Sequence, residues 1–197
     1  SAGAIARARW DHGSSHGPTA LDRATTRDFR QGESPAELPE LVVAKNDTDP
    51  AALVRKAVEA LGGMKRFISR QDIVVVKPNI GWDRTPIHAA NTNPRVVAEV
   101  VRLAYDAGAK HVVVTDASCN EPNRCFQRSG IWKASYDMGA EVILPASHRF
   151  RSMRLKGEVL DEWPVYTPLI NADKVINVPI AKHHNLAKYT AAMKNWY

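Results

Sequence analysis

Short β-branched runs alternating with amphipathic helical stretches predict an α/β fold. The expected form is a three-layer Rossmann-like domain with a mostly parallel sheet of about five strands and a small β excursion. Three observations carry the prediction. Ile73-Val74-Val75-Val76 and Val112-Val113-Val114 are continuous rather than alternating, the pattern of strands buried on both faces. Asp49-Pro50 and Asn93-Pro94 each set a capping side chain before a proline at the first helical position. Gly62-Gly63, Gly108 and Gly139 each follow a helical run and stop it.

Along the chain, residues 1–40 show no sustained period of 2 or 3.6 and are expected to form an extended N-terminal arm. Residues 41–197 are expected to form the α/β domain. Leu41-Val42-Val43-Ala44 reads as a short strand, and Ala52, Leu53, Val54, Ala57, Val58 and Leu61 follow at helical spacing. Asp72–Lys77 is the strongest strand. A helix begins after Asn93, carries Val96, Val97, Val100, Val101 and Ala104 on one face, and ends at Gly108. His111–Thr115 is a strand, Phe126–Met138 a helix, and Glu141–Leu144 a strand. Residues 149–166 are charged and irregular, and they supply the β excursion. Lys174–Val178 is the last strand and Leu186–Trp196 the last helix. The end at Met193-Lys194-Asn195-Trp196-Tyr197 has the texture of a chain still inside an element, so part of the C-terminal portion is expected to be missing.

The chain has 197 residues, 44% of them hydrophobic and 24% charged, which excludes collagen-like and wholly disordered classes. No apolar run reaches the ~18–20 residues of a membrane-spanning helix. The 27 Lys+Arg against 21 Asp+Glu give a net charge of +6. After Asp173 there is no acid, while Lys174, Lys182, Lys188 and Lys194 accompany His183 and His184. Such a balance favours an acidic partner or a small anionic ligand. The bases are interleaved with apolar residues rather than forming a dense stripe with stacking aromatics, which argues against nucleic acid. Cys119 and Cys125 lack Cys-x-x-Cys spacing. They suit a disulfide if the protein is exported and free thiols in a reducing compartment. With no charged-then-apolar leader in view, the cytoplasm is favoured over export and localisation is otherwise open.

In open α/β sheets, ligands bind outside the carboxyl ends of the strands. That rule selects three loops: Lys77, Pro78, Asn79 and Gly81; Thr115, Asp116, Ala117 and Ser118; and Asn177, Pro179, Lys182, His183 and His184. Lys77 can hold an acid group or merely snorkel from a strand end. Thr92 lies at a helix N-terminus suited to capping or anion binding. Asp116 suits a crevice carboxylate or a turn, and His184 suits acid–base work or a basic surface loop. No phosphate-cradling glycine motif occurs. No metal site is assigned.

Lys77-Pro78-Asn79, Thr92-Asn93-Pro94, Ala107-Gly108-Ala109 and Thr115-Asp116 together resemble the family called domain of unknown function 362. Ala172-Asp173-Lys174-Val175-Ile176-Asn177-Val178-Pro179, then Lys182-His183-His184, then Met193-Lys194-Asn195, are similar to that family's closing signature. The resemblance spans roughly residues 40–197 and puts Lys182 and His184 at the signature's Lys and His positions. The strand-end residues themselves lead to the expectation of an enzyme or enzyme subunit acting on a small anionic substrate, with redox metabolism as one setting. In that reading His184, Lys182 and Asp116 are catalytic, and Lys77, Asn79, Thr92, Asn177, Lys194 and Asn195 bind substrate. Many members are fused to ferredoxin-like modules, so an iron–sulfur cluster is expected only on a missing segment or a partner. The alternative is a non-catalytic anion- or partner-binding subunit of a larger assembly, including a homo-oligomer.

Overall fold

The computed structural model describes residues 37–155 and 157–196, so the expected arm lies outside the described residues except for its last four. The described chain forms two compact units, residues 146–171 and residues 37–145 with 172–196. The larger unit opens with α1 (Pro50–Ala60), β1 (Ile73–Pro78), α2 (Pro94–Asp106), β2 (His111–Thr115), α3 (Pro122–Arg128), α4 (Ile131–Asp137) and β3 (Glu141–Ile143). The smaller unit is the β excursion, an antiparallel hairpin of β4 (Phe150–Arg154) and β5 (Glu162–Tyr166), followed by the single turn α5 (Thr167–Ile170). Residues after 171 supply β6 (Lys174–Val178), a ribbon of β7 (Lys182–His184) and β8 (Lys188–Thr190), and a 3₁₀ turn at Lys194–Trp196.

The sheet has the order β3-β2-β1-β6, and every pairing is parallel. Its register sets Val74 beside Val112 and Lys174, and Lys77 beside Asn177. Val74, Val76, Val112, Val114 and Val178 share a core with Val97, Val101 and Ala104 of α2, Phe126 of α3 and Ile131 of α4. Val75 and Val113 point to the opposite face, yet are only 1% and 5% exposed. Burial on both sides accounts for the continuous β-branched runs and makes the sheet the middle layer of a three-layer, Rossmann-like α/β fold. Both expected N-caps form: Asp49 accepts from the Ala51 N–H, and Asn93 from the Arg95 N–H.

Three elements depart from the sequence reading. Leu41–Ala44 is not a strand, so the sheet has four strands rather than five. Both edges of β1 are taken by β2 and β6, leaving this run no central place, and Leu41 and Val43 face solvent. The helix expected over 126–138 is two helices, because Gly130 adopts a left-handed φ of 74° that a right-handed helix cannot continue. Residues 186–196 form a turn, β8 and the 3₁₀ turn instead of a helix. The apolar spacing there meets no apolar face: Leu186 is 83% and Met193 81% exposed.

Thr92 fastens the ends of two central strands. Its hydroxyl donates to the Val178 carbonyl (2.7 Å) and accepts from the Asn79 N–H (2.8 Å), while its own N–H donates to the Asn79 carbonyl (2.9 Å). Thr92→Val keeps the shape and orphans a buried donor and a buried acceptor. Its urea midpoint should correspond to a loss of about 1–3 kcal/mol, and Thr92→Ser should recover most of it.

Candidate functional site

The carboxyl ends of β1, β2 and β6 converge with β7, β8 and the Lys194–Trp196 turn, all within the larger unit. Lys77, the one lysine of β1, points away from the helical core and is buried. Its ammonium donates to Asp116 Oδ1 at 2.7 Å, and the two side chains are only 9% and 7% exposed. Asp116 stands just past β2. Its Oδ1 also accepts from the Ala117 N–H (2.9 Å), and its Oδ2 from the Ile80 N–H (2.6 Å). Both carboxylate oxygens are therefore committed, and the pair neutralises itself inside the fold.

A head-to-tail series of amides runs across the strand ends. Lys182 Nζ donates to Asn79 Oδ1 (2.9 Å), and Asn79 Nδ2 donates to Asn195 Oδ1 (3.0 Å). Asn195 Nδ2 in turn donates to Asn177 Oδ1 (2.8 Å), and Asn177 Nδ2 to the Ala192 carbonyl (2.9 Å). An amide offers one acceptor end and one donor end, so the ammonium at the head fixes the direction of all three. Asn195 is buried and also donates weakly to the Lys77 and Pro78 carbonyls (3.3 Å each). The carboxamides of Asn79, Asn177 and Asn195 are thus engaged with one another and with backbone.

Lys182 differs from Lys77. It is half-buried and also donates to the Ala90 carbonyl, and its Nζ lies 5.9 Å from the centroid of the Trp82 ring, within cation–π range. Among the described residues no carboxylate oxygen lies within 4 Å of its Nζ. Burial lowers its pKa from the ordinary 10.5. Negative charge at Cys119 and Asp116 works against that shift, and Lys194 adds to it. Two of its three N–H donors are used, which leaves one for a ligand.

The remaining predicted residues take other places. His184 Nδ1 accepts from the Leu186 and Ala187 N–H groups (3.2 and 3.0 Å), which closes the β7–β8 turn and leaves Nε2 as its free nitrogen. Lys194 is half-buried in the 3₁₀ turn beside Asn195. Cys119 and Cys125 are free thiols: Cys119 is exposed, while Cys125 is fully buried in the helical core, where burial pushes its thiol pKa up. Sequence reasoning passed over Trp82, whose backbone is clasped by the Asn91 amide (3.0 and 2.8 Å), and the Ala90 carbonyl. It also passed over Thr190, which stands directly across the ribbon from Lys182. A Gly-Trp pair one residue beyond Lys-Pro-Asn was the signal for the first of these.

Among the described residues no group of three or more His, Cys, Asp or Glu side chains is placed to hold a metal ion. A four-iron cluster takes four thiolates, and this chain has two cysteines, one sealed in the core, so its own residues do not fit such a group. No helix among the described residues is long and apolar enough to cross a membrane.

The chain is similar to the thylakoid-associated protein sll1697 of Synechocystis sp., at 28% identity over 153 residues, which cover 74% of this chain and 44% of that protein. It therefore spans less than half the length of the curated relative it matches. No solved structure matches it. The family model described as "Domain of unknown function (DUF362)" matches residues 74–197, from the second residue of β1 through the Lys182, His184 and Lys194-Asn195 positions. Since that match takes in the whole strand-end cluster and most of the chain, the chain belongs to the domain of unknown function 362 family.

Proposed function

We propose that this chain is the anion-binding α/β domain of an enzyme or enzyme subunit acting on a small anionic substrate, with Lys182 as the seat of the acid group. One observation carries the reading: Lys182 is a partly desolvated ammonium held at the strand ends by neutral acceptors, with no carboxylate within 4 Å among the described residues. A desolvated charge without a counter-ion is costly, and an anionic ligand removes that cost. Lys194 adds positive charge nearby. Lys77 and Asp116 serve as scaffold, and Asn79, Asn177 and Asn195 orient the cation. Thr92 holds the strand ends together, and His184 shapes the ribbon turn, with Nε2 free for acid–base work.

A second reading, a non-catalytic subunit that docks on a partner, is favoured by the exposed Leu186, Tyr189, Met193 and Trp196 in the acid-free segment that follows Asp173. The thylakoid association in the relative's name fits that reading as well. Native mass spectrometry of purified protein separates the two: a bound small acid supports the first, and a stoichiometric protein partner the second.

The lysines should behave oppositely on mutation. Asp116→Asn leaves Lys77 buried and unpaired, which should cost about 3–5 kcal/mol in urea unfolding. Lys182→Gln removes an unmatched cation and should leave stability unchanged or higher. Destabilisation by Lys182→Gln comparable to that by Asp116→Asn would make Lys182 structural and end this reading.

Small dianions such as oxalate, sulfate and phosphate at about 100 times their dissociation constant should stabilise the fold by about 2.7 kcal/mol, read as a rise in melting temperature. The protonated amine is the binding form, so affinity for sulfate, whose charge does not change across this range, should be flat below the Lys182 pKa and fall about tenfold per pH unit above it. Because burial lowers that pKa, the fall should begin below the ordinary 10.5. Lys182→Gln should abolish the effect. A wider panel in which no small anion stabilises the wild type would overturn the proposal.

A further inference from the structure

The loop after β1 carries a feature that the anion-binding reading leaves unused. Gly81 is buried, and its backbone carbonyl accepts from the Cys119 and Asn120 N–H groups (3.0 and 3.1 Å). A Cβ built on Gly81 would lie 3.7 Å from Cys119 Sγ and 3.9 Å from Asn79 Oδ1, and it would meet nothing closer. The space over the Gly81 Cα is therefore bordered on one side by a thiol and on the other by the amide oxygen that holds Lys182 Nζ at 2.9 Å. Cys119 is exposed, whereas Cys125 is sealed in the core. Ser118 Oγ donates to the Ile80 carbonyl (2.5 Å), which pins the loop that presents the thiol.

A second observation lies on the ribbon that carries Lys182. Thr190 is 2% exposed, and its hydroxyl has no hydrogen-bond partner. Thr190 pairs directly with Lys182 across the ribbon, so both side chains project from the same ribbon face. A buried hydroxyl left unpaired is costly. An anion seated on the third N–H of Lys182 would supply an acceptor on that face.

Resting on the anion-binding reading, we infer that Cys119 is the nucleophile of this site, and that its ligands are small carboxylates with an electrophilic carbon next to the acid group. The carboxylate sits on Lys182, and the adjacent carbon lies over Gly81 against Cys119 Sγ. Gly81 is the residue that admits it. For a 2-oxo acid the step is an addition. The S–C bond forms, the carbonyl π pair moves onto oxygen, and the proton given up by the thiol ends on that oxygen. No oxidant or further reactant enters.

Iodoacetate and iodoacetamide test this, because they differ in one carboxylate. In both, sulfur displaces iodide, which leaves with the bonding pair while the thiol proton passes to solvent. Peptide mapping follows labelling of Cys119, and the ratio of iodoacetate rate to iodoacetamide rate is normalised to that of 2-mercaptoethanol. A charged cleft concentrates its counter-ion about tenfold or more, so the wild-type ratio should exceed the free-thiol ratio by about tenfold. Lys182→Gln should return it to the free-thiol value. Gly81→Ala adds a methyl at ordinary contact distances and should leave the melting temperature unchanged while cutting iodoacetate labelling several-fold more than iodoacetamide labelling. A wild-type ratio equal to that of the free thiol, or one that neither variant changes, overturns this inference. If oxalate still stabilises the protein in that case, the anion-binding reading survives alone; if no small anion does, both fail.

Discussion

A lysine at the end of a strand buried on both faces has to be neutralised where it stands, and the strand-end architecture follows from how Lys77 meets that demand. Its partner comes from the neighbouring strand, so the ion pair also locks the tip of β1 to the tip of β2. Asp116 uses its second oxygen to hold the Ile80 N–H, which turns the chain sharply after Asn79 and delivers Gly81 and Trp82 to the rim. With Asp116 fully engaged, it cannot serve as close counter-ion to Lys182. One carboxylate facing two lysines at neighbouring strand ends leaves one lysine for other work.

Asparagine at three positions of the amide series has a physical reason. A carboxylate at Asn79 would neutralise Lys182 outright and would have no donor to pass on to Asn195. A longer glutamine would carry more side-chain entropy to be lost on ordering. The short amide transmits orientation from one strand end to the next, tying β1, β6 and the C-terminal turn into one frame. The cation at its head is thereby held in one position by neutral acceptors, with no carboxylate in contact among the described residues.

What could be read from the sequence was local in origin. The caps at Asp49 and Asn93, the glycine stops and the continuous β-branched runs each act over a few residues, and they appear where expected. The convergence of Lys77, Asn79, Asp116, Asn177 and Lys182 was legible because parallel strands carry their following loops to one end of the sheet, whereas Asn195 entered only through the likeness to the family's closing signature. The division of labour among them was not. Whether a lysine is paired or free depends on which carboxylate sits across from it, and Lys77 and Asp116 are 39 residues apart. The segment 186–196 misled for a related reason. Its apolar spacing suits a helix, but such spacing yields a helix only where an apolar surface waits to receive it. Cys119 and Cys125 invited reading as a pair by proximity in sequence, whereas the turn into α3 buries one and presents the other.

The placement of β6 bears on how the chain must be made. β1 is central, yet one of its edges is filled only by a strand about 100 residues later, with Val74 beside Lys174. At ribosomal rates of about 5–20 residues per second, a nascent chain would hold a bare, four-residue β-branched edge for on the order of 10 s. Pairing so distant in sequence closes slowly once both strands exist. Through that interval Ile73-Val74-Val75-Val76 is a template for any extended segment nearby, and the lysine and proline that end the run, Lys77-Pro78, are residue types that discourage a stray strand from extending along it. The order in which the central strands leave the ribosome thus keeps this edge unpaired until β6 is made.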